Sequence, residues 1–176
     1  RVQALVLGSG WGERKDRGVV ARAVEAGVPL VVDADGLRHL PATGHPKVVL
    51  TPHAGELARL LGNSRAEVEA DPLAAVLAAS RSTGCTVLLK GATQYVAAPD
   101  STGVWLAVPG PAWTAQAGSG DLLAGICGTL LAAGLAPVDA ALAAASVQAI
   151  AAAAAPGPVP PQELRLPVPP HPDVAG

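Results

Sequence analysis

Short apolar runs alternate with helix-like patterns through the first half of the chain, and this alternation limits the possible folds more than any other feature. The apolar runs lie at 4–8, 29–35, 47–52 and 86–91, and the helical patterns lie at 16–27, 54–62 and about 71–83. This order is typical of parallel strands joined by crossover helices. We therefore expect an α/β fold with a mostly parallel central sheet.

The second half of the chain has a different pattern. The runs "QYVAAP" and "GVWLAV" flank "DSTG", which predicts an antiparallel hairpin near one edge of the sheet. Two long helices are expected at 120–133 and 137–155. The tail 156–176 is rich in proline and is predicted to be disordered, so the sequence indicates one domain at 1–155.

The composition indicates a core made of small residues. The chain has 176 residues, half of them apolar, yet aromatic residues make up 2% and both Met and Phe are absent. One close-packed helix and sheet core is therefore expected. The two cysteines, Cys85 and Cys127, match neither a metal-binding nor a redox spacing, so we expect reduced core thiols in a cytoplasmic protein.

Charge and hydropathy disfavour two kinds of partner. The net charge is −2 and no basic stripe occurs, so nucleic acid is not expected as a partner. The longest apolar run, 137–157, is mostly alanine, which predicts a buried helix and no membrane association. The chain enters a strand soon after Arg1, and we expect that an N-terminal part of the domain is missing.

Polar and glycine-rich clusters follow the predicted strands. They are "GSGWG" at 8–12, "DADG" at 33–36, "TPHAGE" at 51–56 and "KGATQ" at 90–94. Ligands of parallel α/β sheets bind at the carboxyl ends of the strands. A site assembled from these loops is therefore expected.

Each of these clusters has a structural and a functional interpretation. "GSGWG" forms either a tight turn or a loop whose amides approach a phosphate. In the structural interpretation His53 and Glu56 start a helix and His53 is solvated. In the functional interpretation His53 contacts the substrate and Glu56 arranges metal-bound water. Lys90 either lies beside transferring phosphates or pairs with a carboxylate, and the acids of "DADG" either cap a helix or line the site.

"AGSGD" at 117–121 is the most specific cluster. Gly118, Ser119 and Gly120 allow successive N–H groups to point to one spot at the start of a helix, which forms an anion hole. Asp121, beside that hole, would accept a proton from a substrate hydroxyl while fixed donors stabilise a moving phosphoryl group. The alternative is a carboxylate that only starts the helix.

Taken in order, "GSGWG", "VVDADGL", "LTPHAGELARLLG", "VLLKGATQYVAAPD" and "AQAGSGDLLAGICGTLLAAG" resemble the ADP-dependent NAD(P)H-hydrate dehydratases. These enzymes belong to the ribokinase-like superfamily, and the resemblance covers about residues 5–155. It implies a ribokinase-like three-layer α/β/α sandwich with a mostly parallel central sheet. Two positions depart from the family, because Ala54 and Ser9 stand where proline is common.

The resemblance also implies an activity. The S epimer of hydrated NADH or NADPH (NADHX or NADPHX) would be phosphorylated by ADP with Mg²⁺ present, and elimination of phosphate would restore NAD(P)H. AMP and phosphate would leave. The relatives suggest a homotetramer.

Site residues follow from the same resemblance. Asp121 would be the base and would also contact the substrate. His53 and Gly10 would contact the substrate. Gly120 would bind the nucleotide, and Glu56 would help to organise Mg²⁺ through water. The AMP portion would contact Lys90, Gly91, Ala92, Thr93 and Gln94.

Two rival functions remain open at this point. The first is a small-molecule kinase of the same superfamily that acts on a vitamin-precursor alcohol; such kinases more often have asparagine where this chain has His53. The second is a non-catalytic nucleotide-binding remnant, which would bind ADP without turnover.

Overall fold

The computed structural model describes residues 2–12, 18–42 and 45–166. Its strands are β1 (Leu5–Leu7), β2 (Leu30–Val32), β3 (Val48–Leu50), β4 (Thr86–Leu89), β5 (Tyr95–Ala97) and β6 (Trp105–Leu106). Its α-helices are α1 (Gly18–Glu25), α2 (Ala54–Leu61), α3 (Arg65–Ala70), α4 (Pro72–Thr83), α5 (Ser119–Ala132) and α6 (Pro137–Ala154). Residues 16 and 17 of the predicted helix 16–27 lie outside the described residues.

The six strands form one sheet in the order β1-β2-β3-β4-β5-β6. The first four strands are parallel, and β5 and β6 pair antiparallel at one edge. The predicted hairpin and its place at the edge are therefore confirmed. All four parallel strands end at the same edge of the sheet, where the polar clusters follow them.

Helices cover both faces of the sheet. One cluster of buried residues joins α1, α2, α3 and α4 to one face, and a second joins α5 and α6 to the other. This arrangement is the expected three-layer α/β/α sandwich with a mostly parallel sheet. Along β2, β3, β4 and β5 the side chains alternate between the two clusters, because successive residues of a strand point to opposite faces.

Alanine dominates the packing of α6. In the part of the chain that the structure describes, α6 is the one helix with the length and mean hydropathy, 1.4, to cross a membrane. Four of its side chains are buried in the cluster between the sheet and helices α5 and α6: Ala140, Ala141, Ala144 and Ala145. The helix is part of the core of the domain, as its composition predicts.

The helix boundaries follow local capping chemistry. Asp71 Oδ1 accepts a hydrogen bond from Ala74 N at 3.0 Å, Pro72 occupies the first turn, and Gly84 ends α4 with a φ of +65°. These bounds match the prediction for 71–83. The six-residue helix α3 was not predicted, although the pair Ser64 and Glu67 forms a capping box that marks its start.

The segment after α6 is described as far as residue 166. Pro161–Glu163 form a short 3₁₀ helix, and Gln116 Nε2 donates a hydrogen bond to Val159 O at 2.6 Å. The residues 156–166 therefore contact the loop that precedes α5. Disorder of the tail remains a prediction for the residues beyond 166.

Glycine is required where β1 meets the turn after β2. Gly8 has a φ of +116°, and a Cβ at this position would lie 1.9 Å from Asp33 O and 2.7 Å from Gly36 N. Both clashing atoms belong to the backbone, so they cannot move aside without moving the strand ends. This close approach fixes the position of the "GSGWG" loop relative to β2.

The substitution Gly8→Ala is therefore expected to destabilise the protein by about 3 kcal/mol or more, since overpacking and a left-handed backbone both contribute. Urea unfolding followed by circular dichroism measures the change. Gly27→Ala is the matched control, because Gly27 has a φ of +67° and no atom lies within 4 Å of the point that its Cβ would occupy. Equal losses for the two variants would contradict the proposed packing constraint.

Burial suppresses the reactivity of both thiols. It raises the pKa of Cys85 to about 11 and that of Cys127 to about 12, and both side chains lie in the core. The reactive species is the thiolate, which is scarce for both residues at pH 8. We predict that Ellman's reagent labels neither cysteine in the native protein at pH 8 and labels both in guanidinium chloride. Rapid native labelling would contradict the burial.

Candidate active site

Polar side chains follow β2, β3 and β4 on the face that carries α5. The buried residues Val31 and Leu88 belong to the cluster beneath α5 and α6. Two residues further along their strands come Asp33 and Lys90, which therefore lie on the same face. The site thus forms where the carboxyl ends of the parallel strands meet the amino terminus of α5.

Asp33 and Lys90 form a buried ion pair at these strand ends. Lys90 Nζ donates to Asp33 Oδ1 at 2.6 Å, and the side chains of Lys90 and Asp33 are 19% and 2% exposed, respectively. Asp33 precedes a 3₁₀ helix at Ala34–His39 but makes no side-chain cap to it. Of the two interpretations of Lys90, the structure shows the carboxylate pair.

The same ion pair lies against the start of α5. A Cβ on Gly120 would be 3.3 Å from Lys90 Nζ and 3.7 Å from Asp33 Oδ2. The absence of a side chain at Gly120 therefore lets the helix approach the ammonium group closely. Lys90 thus lies beside the predicted anion hole as well as beside a carboxylate.

The first turn of α5 carries free N–H donors. Gly118 precedes the helix with a φ of +86°, and its N–H and those of Gly120 and Asp121 bond no described residue. Ser119 differs, because its N–H donates to Gln116 O at 3.2 Å. Of the three predicted anion-hole donors, Gly118 and Gly120 therefore have free amides and Ser119 does not, while Asp121 adds a further free amide; the anion hole itself stays a prediction.

Two glutamines hold this turn in place. Gln148, a buried residue of α6, donates from Nε2 to Ser119 O at 2.8 Å. Gln116 donates to Val159 O in the segment after α6. Neither contact was predicted; the polar residue within the alanine-rich pattern of α6 was the available signal for Gln148.

Asp121 is exposed at the first turn of α5 and has no hydrogen bond or ion pair with another described side chain. Its carboxylate is therefore free to accept a proton from a bound hydroxyl. It directly follows Gly120, the residue against which the Lys90 ammonium lies. The geometry thus places an available carboxylate, free amides and one cation at the same helix start.

His53 starts helix α2 and is part of its cap. Its Nδ1 accepts hydrogen bonds from Gly55 N at 3.0 Å and Glu56 N at 3.3 Å, and Glu56 Oε2 accepts one from His53 N at 2.9 Å. His53 also forms a parallel bridge with Lys90. The imidazole therefore starts the helix, and it is 54% exposed beside the site, which leaves it accessible to a ligand.

Glu56 has a structural role in the same cap. While Oε2 accepts from His53 N, Oε1 lies 3.4 Å from His53 Nε2. No group of three His, Cys, Asp or Glu side chains in residues 2–12, 18–42 and 45–166 could form a metal cage. A Mg²⁺ ion held mainly by phosphate oxygens and water needs few protein ligands, so a single carboxylate such as that of Glu56 fits a contact through water.

The two remaining loops lie at the same edge of the sheet. Gly10 has a φ of +67° and open space around its Cβ position, and Gly12 N donates to Asp35 Oδ2 at 3.0 Å. In "KGATQ" the residues 91–93 are exposed, whereas Gln94 Oε1 is buried and bonds no described group. The exposed residues 91–93 are accessible to a nucleotide.

The layer order and the mostly parallel sheet define a ribokinase-like α/β domain. A family model for NAD(P)H-hydrate dehydratase matches residues 1–159. The chain belongs to the NAD(P)H-hydrate dehydratase family.

Curated relatives agree with this assignment. The chain is 42% identical over 159 residues to the ADP-dependent (S)-NAD(P)H-hydrate dehydratase of Neisseria meningitidis, with 82% of this chain and 52% of the relative covered. It is 43% identical over 150 residues to the bifunctional NAD(P)H-hydrate repair enzyme of Mycobacterium leprae, with 80% and 30% covered. The chain therefore spans about half or less of the length of these relatives.

Solved structures support the fold. An ADP/ATP-dependent NAD(P)H-hydrate dehydratase from Bacillus subtilis, co-crystallised with ATP and Mg²⁺ and soaked with CoA, matches with a TM-score of 0.75 at 27% identity, covering 85% of this chain and 56% of that chain. A hydroxyethylthiazole kinase from Pyrococcus horikoshii has a TM-score of 0.63 at 24% identity, covering 85% and 62%. The kinase likeness concerns the fold alone.

The cap predicts how substitutions at His53 behave. His53→Ala removes the acceptor for two amides and is expected to cost about 1 kcal/mol, whereas His53→Asn keeps a good N-cap and most of the stability. Thermal and urea unfolding of the two variants measure the difference. Equal stability of His53→Ala and the wild type would show that the imidazole does not stabilise α2.

Proposed function

We propose that this domain restores hydrated nicotinamide nucleotides by ADP-dependent dehydration of the S epimer of NADHX or NADPHX, releasing AMP and phosphate. The observation that carries the proposal is the cluster at the start of α5. There the amides of Gly118, Gly120 and Asp121 are free, the Lys90 ammonium lies against Gly120, and the Asp121 carboxylate has no partner among the described residues. The names of the relatives at 42–43% identity supply the substrate class.

The site supports a two-step reaction. In the first step the substrate hydroxyl oxygen bonds the β-phosphorus of ADP, the bond from that phosphorus to AMP breaks, and Asp121 takes the hydroxyl proton. The α5 amides and Lys90 stabilise the charge on the transferred group. In the second step the carbon–oxygen bond breaks, phosphate leaves, and loss of a proton from the neighbouring carbon restores the double bond.

The other predicted residues have supporting roles in this proposal. His53 and Gly10 contact the hydrated nucleotide, since both lie at strand ends beside the site. Gly120 and the loop from Lys90 to Gln94 hold ADP. A bound Mg²⁺ neutralises phosphate charge, and Glu56 holds it through water.

The proposal includes three features of the whole protein. We propose a cytoplasmic enzyme, a homotetramer, and no nucleic-acid or membrane partner. The net charge of −2 and the packing of α6 into the core support the absence of those partners.

A second candidate is nucleotide binding without catalysis, since the free amides of α5 and the Lys90 ammonium would by themselves hold a phosphate. This candidate predicts ADP binding without restoration of NADH. A kinase for a vitamin-precursor alcohol is instead disfavoured by His53, which occupies the position where such kinases more often have asparagine.

The test of the proposed base is Asp121→Asn. Wild-type protein with chemically hydrated NADH, ADP and Mg²⁺ is expected to restore the absorbance of NADH at 340 nm. Asp121→Asn is expected to lower that rate by about 10²–10⁴-fold, because the hydroxyl loses its proton acceptor. The dissociation constant for ADP, measured by calorimetry, is expected to change by less than about threefold, since the amides and Lys90 remain.

Asp139→Asn is the matched control, because Asp139 is an exposed carboxylate in the first turn of α6. Its rate is expected to equal that of the wild type. A rate for Asp121→Asn within a few-fold of wild type would assign the proton transfer to another group. ADP binding by the wild type with no recovery of NADH would support the non-catalytic candidate.

A further inference from the structure

We propose that Asp33 is a positioning residue that holds the Lys90 ammonium against the first turn of α5, so that cation and helix amides bind the same phosphate group. This inference rests on the proposed function, because it assigns the phosphate to the nucleotide of that reaction. Nothing in the sequence patterns distinguishes Asp33 from a cap, and the structure shows that it caps no helix.

Asp33 is itself rigidly placed. Its N–H donates to Leu7 O at 2.9 Å and its carbonyl accepts from Gly36 N at 3.0 Å, which ties it to β1 and to the following 3₁₀ helix. The chain bends directly after it, since Ala34 has a φ of +48°. Because the backbone N–H and carbonyl of Asp33 are both hydrogen-bonded and its side chain is 2% exposed, its carboxylate has a fixed position to which the flexible Lys90 side chain can bind.

Lys90 needs such an anchor. A lysine ammonium is a point charge on a four-carbon stem with three donors, so its direction is set by what it bonds. The one described acceptor of Lys90 Nζ is Asp33 Oδ1, at 2.6 Å. One donor is thereby used, and the others remain for a ligand beside Gly120, whose Cβ position is 3.3 Å away.

Thr51 follows β3, the strand that lies between those preceding Asp33 and Lys90. The side chain is 0% exposed, and its Oγ1 has no partner among the described residues. Leu50 pairs with Val32 in the register of β2 and β3, so Thr51 follows opposite Asp33. The hydroxyl forms no hydrogen bond with Lys90, which leaves Asp33 to set the direction of the ammonium group.

A cycle of three variants tests the proposal by calorimetric titration with ADP. Asp33→Asn is expected to raise the dissociation constant at least tenfold, because a neutral amide no longer holds the ammonium in place. Lys90→Met is expected to raise it by a similar factor. The double variant, which leaves no buried charge unpaired, is expected to bind ADP as weakly as Lys90→Met and no more weakly, since residues acting through one another are not additive.

A second measurement separates positioning from a loss of folded structure. The chain has three lysines, so ¹⁵N-lysine labelling gives few ammonium signals. We expect one slowly exchanging signal in the wild type, absent in Lys90→Met and lost in a folded Asp33→Asn. Asp139→Asn is the matched control, because Asp139 is an exposed carboxylate in the first turn of α6; it is expected to leave ADP binding within twofold.

Three outcomes would overturn the inference. They are unchanged or tighter ADP binding in folded Asp33→Asn, a double variant whose loss is the sum of the single losses, and a protected Lys90 signal that survives Asp33→Asn. Wild-type protein that binds ADP but restores no NADH contradicts the proposed function alone, because the variant cycle measures binding. The two failures are therefore distinguishable.

Discussion

The buried ion pair between Asp33 and Lys90 joins β2 to β4 across β3, and the rest of the site depends on it. Breaking such a pair by removing one partner costs about 3–5 kcal/mol, because a charge is left uncompensated in the interior. The sheet places the two side chains together, because its parallel strands end at the same edge and Asp33 and Lys90 point to the same face. The ion pair is thus a consequence of strand order and also the reason that a cation is present beside α5.

Small residues allow the start of α5 to lie close to the Asp33 and Lys90 ion pair. Gly120 leaves room for the ammonium group, and the alanines of α6 let that helix pack closely against the sheet. Because α5 and α6 pack on the same face, Gln148 can reach the carbonyl of Ser119 and fix the turn that presents the free amides. The alanine-rich composition and the arrangement of free amides at the start of α5 therefore both depend on close backbone approach.

Much of this could be predicted from the sequence, because the signals are local. Caps and periodicity gave α4 at its observed bounds, and the strand-end clusters gave the edge at which the site forms. The pairing of Asp33 with Lys90 could not be predicted, since 57 residues separate them and both had other possible roles. The amide of Ser119 was assigned wrongly to the free donors for a related reason: its bond to Gln116 O depends on how the preceding loop turns. Spacing along a chain does not show such tertiary partners.

The short segment after α6 packs against the turn before α5, although composition suggests that the domain ends at 155. Val159 O accepts a hydrogen bond from Gln116, and Pro161 Cγ lies 3.7 Å from the Cβ position of Gly118. The backbone of this proline-rich stretch thus supports the turn that presents the free amides, so a change in the length of 156–166 would alter the position of the start of α5.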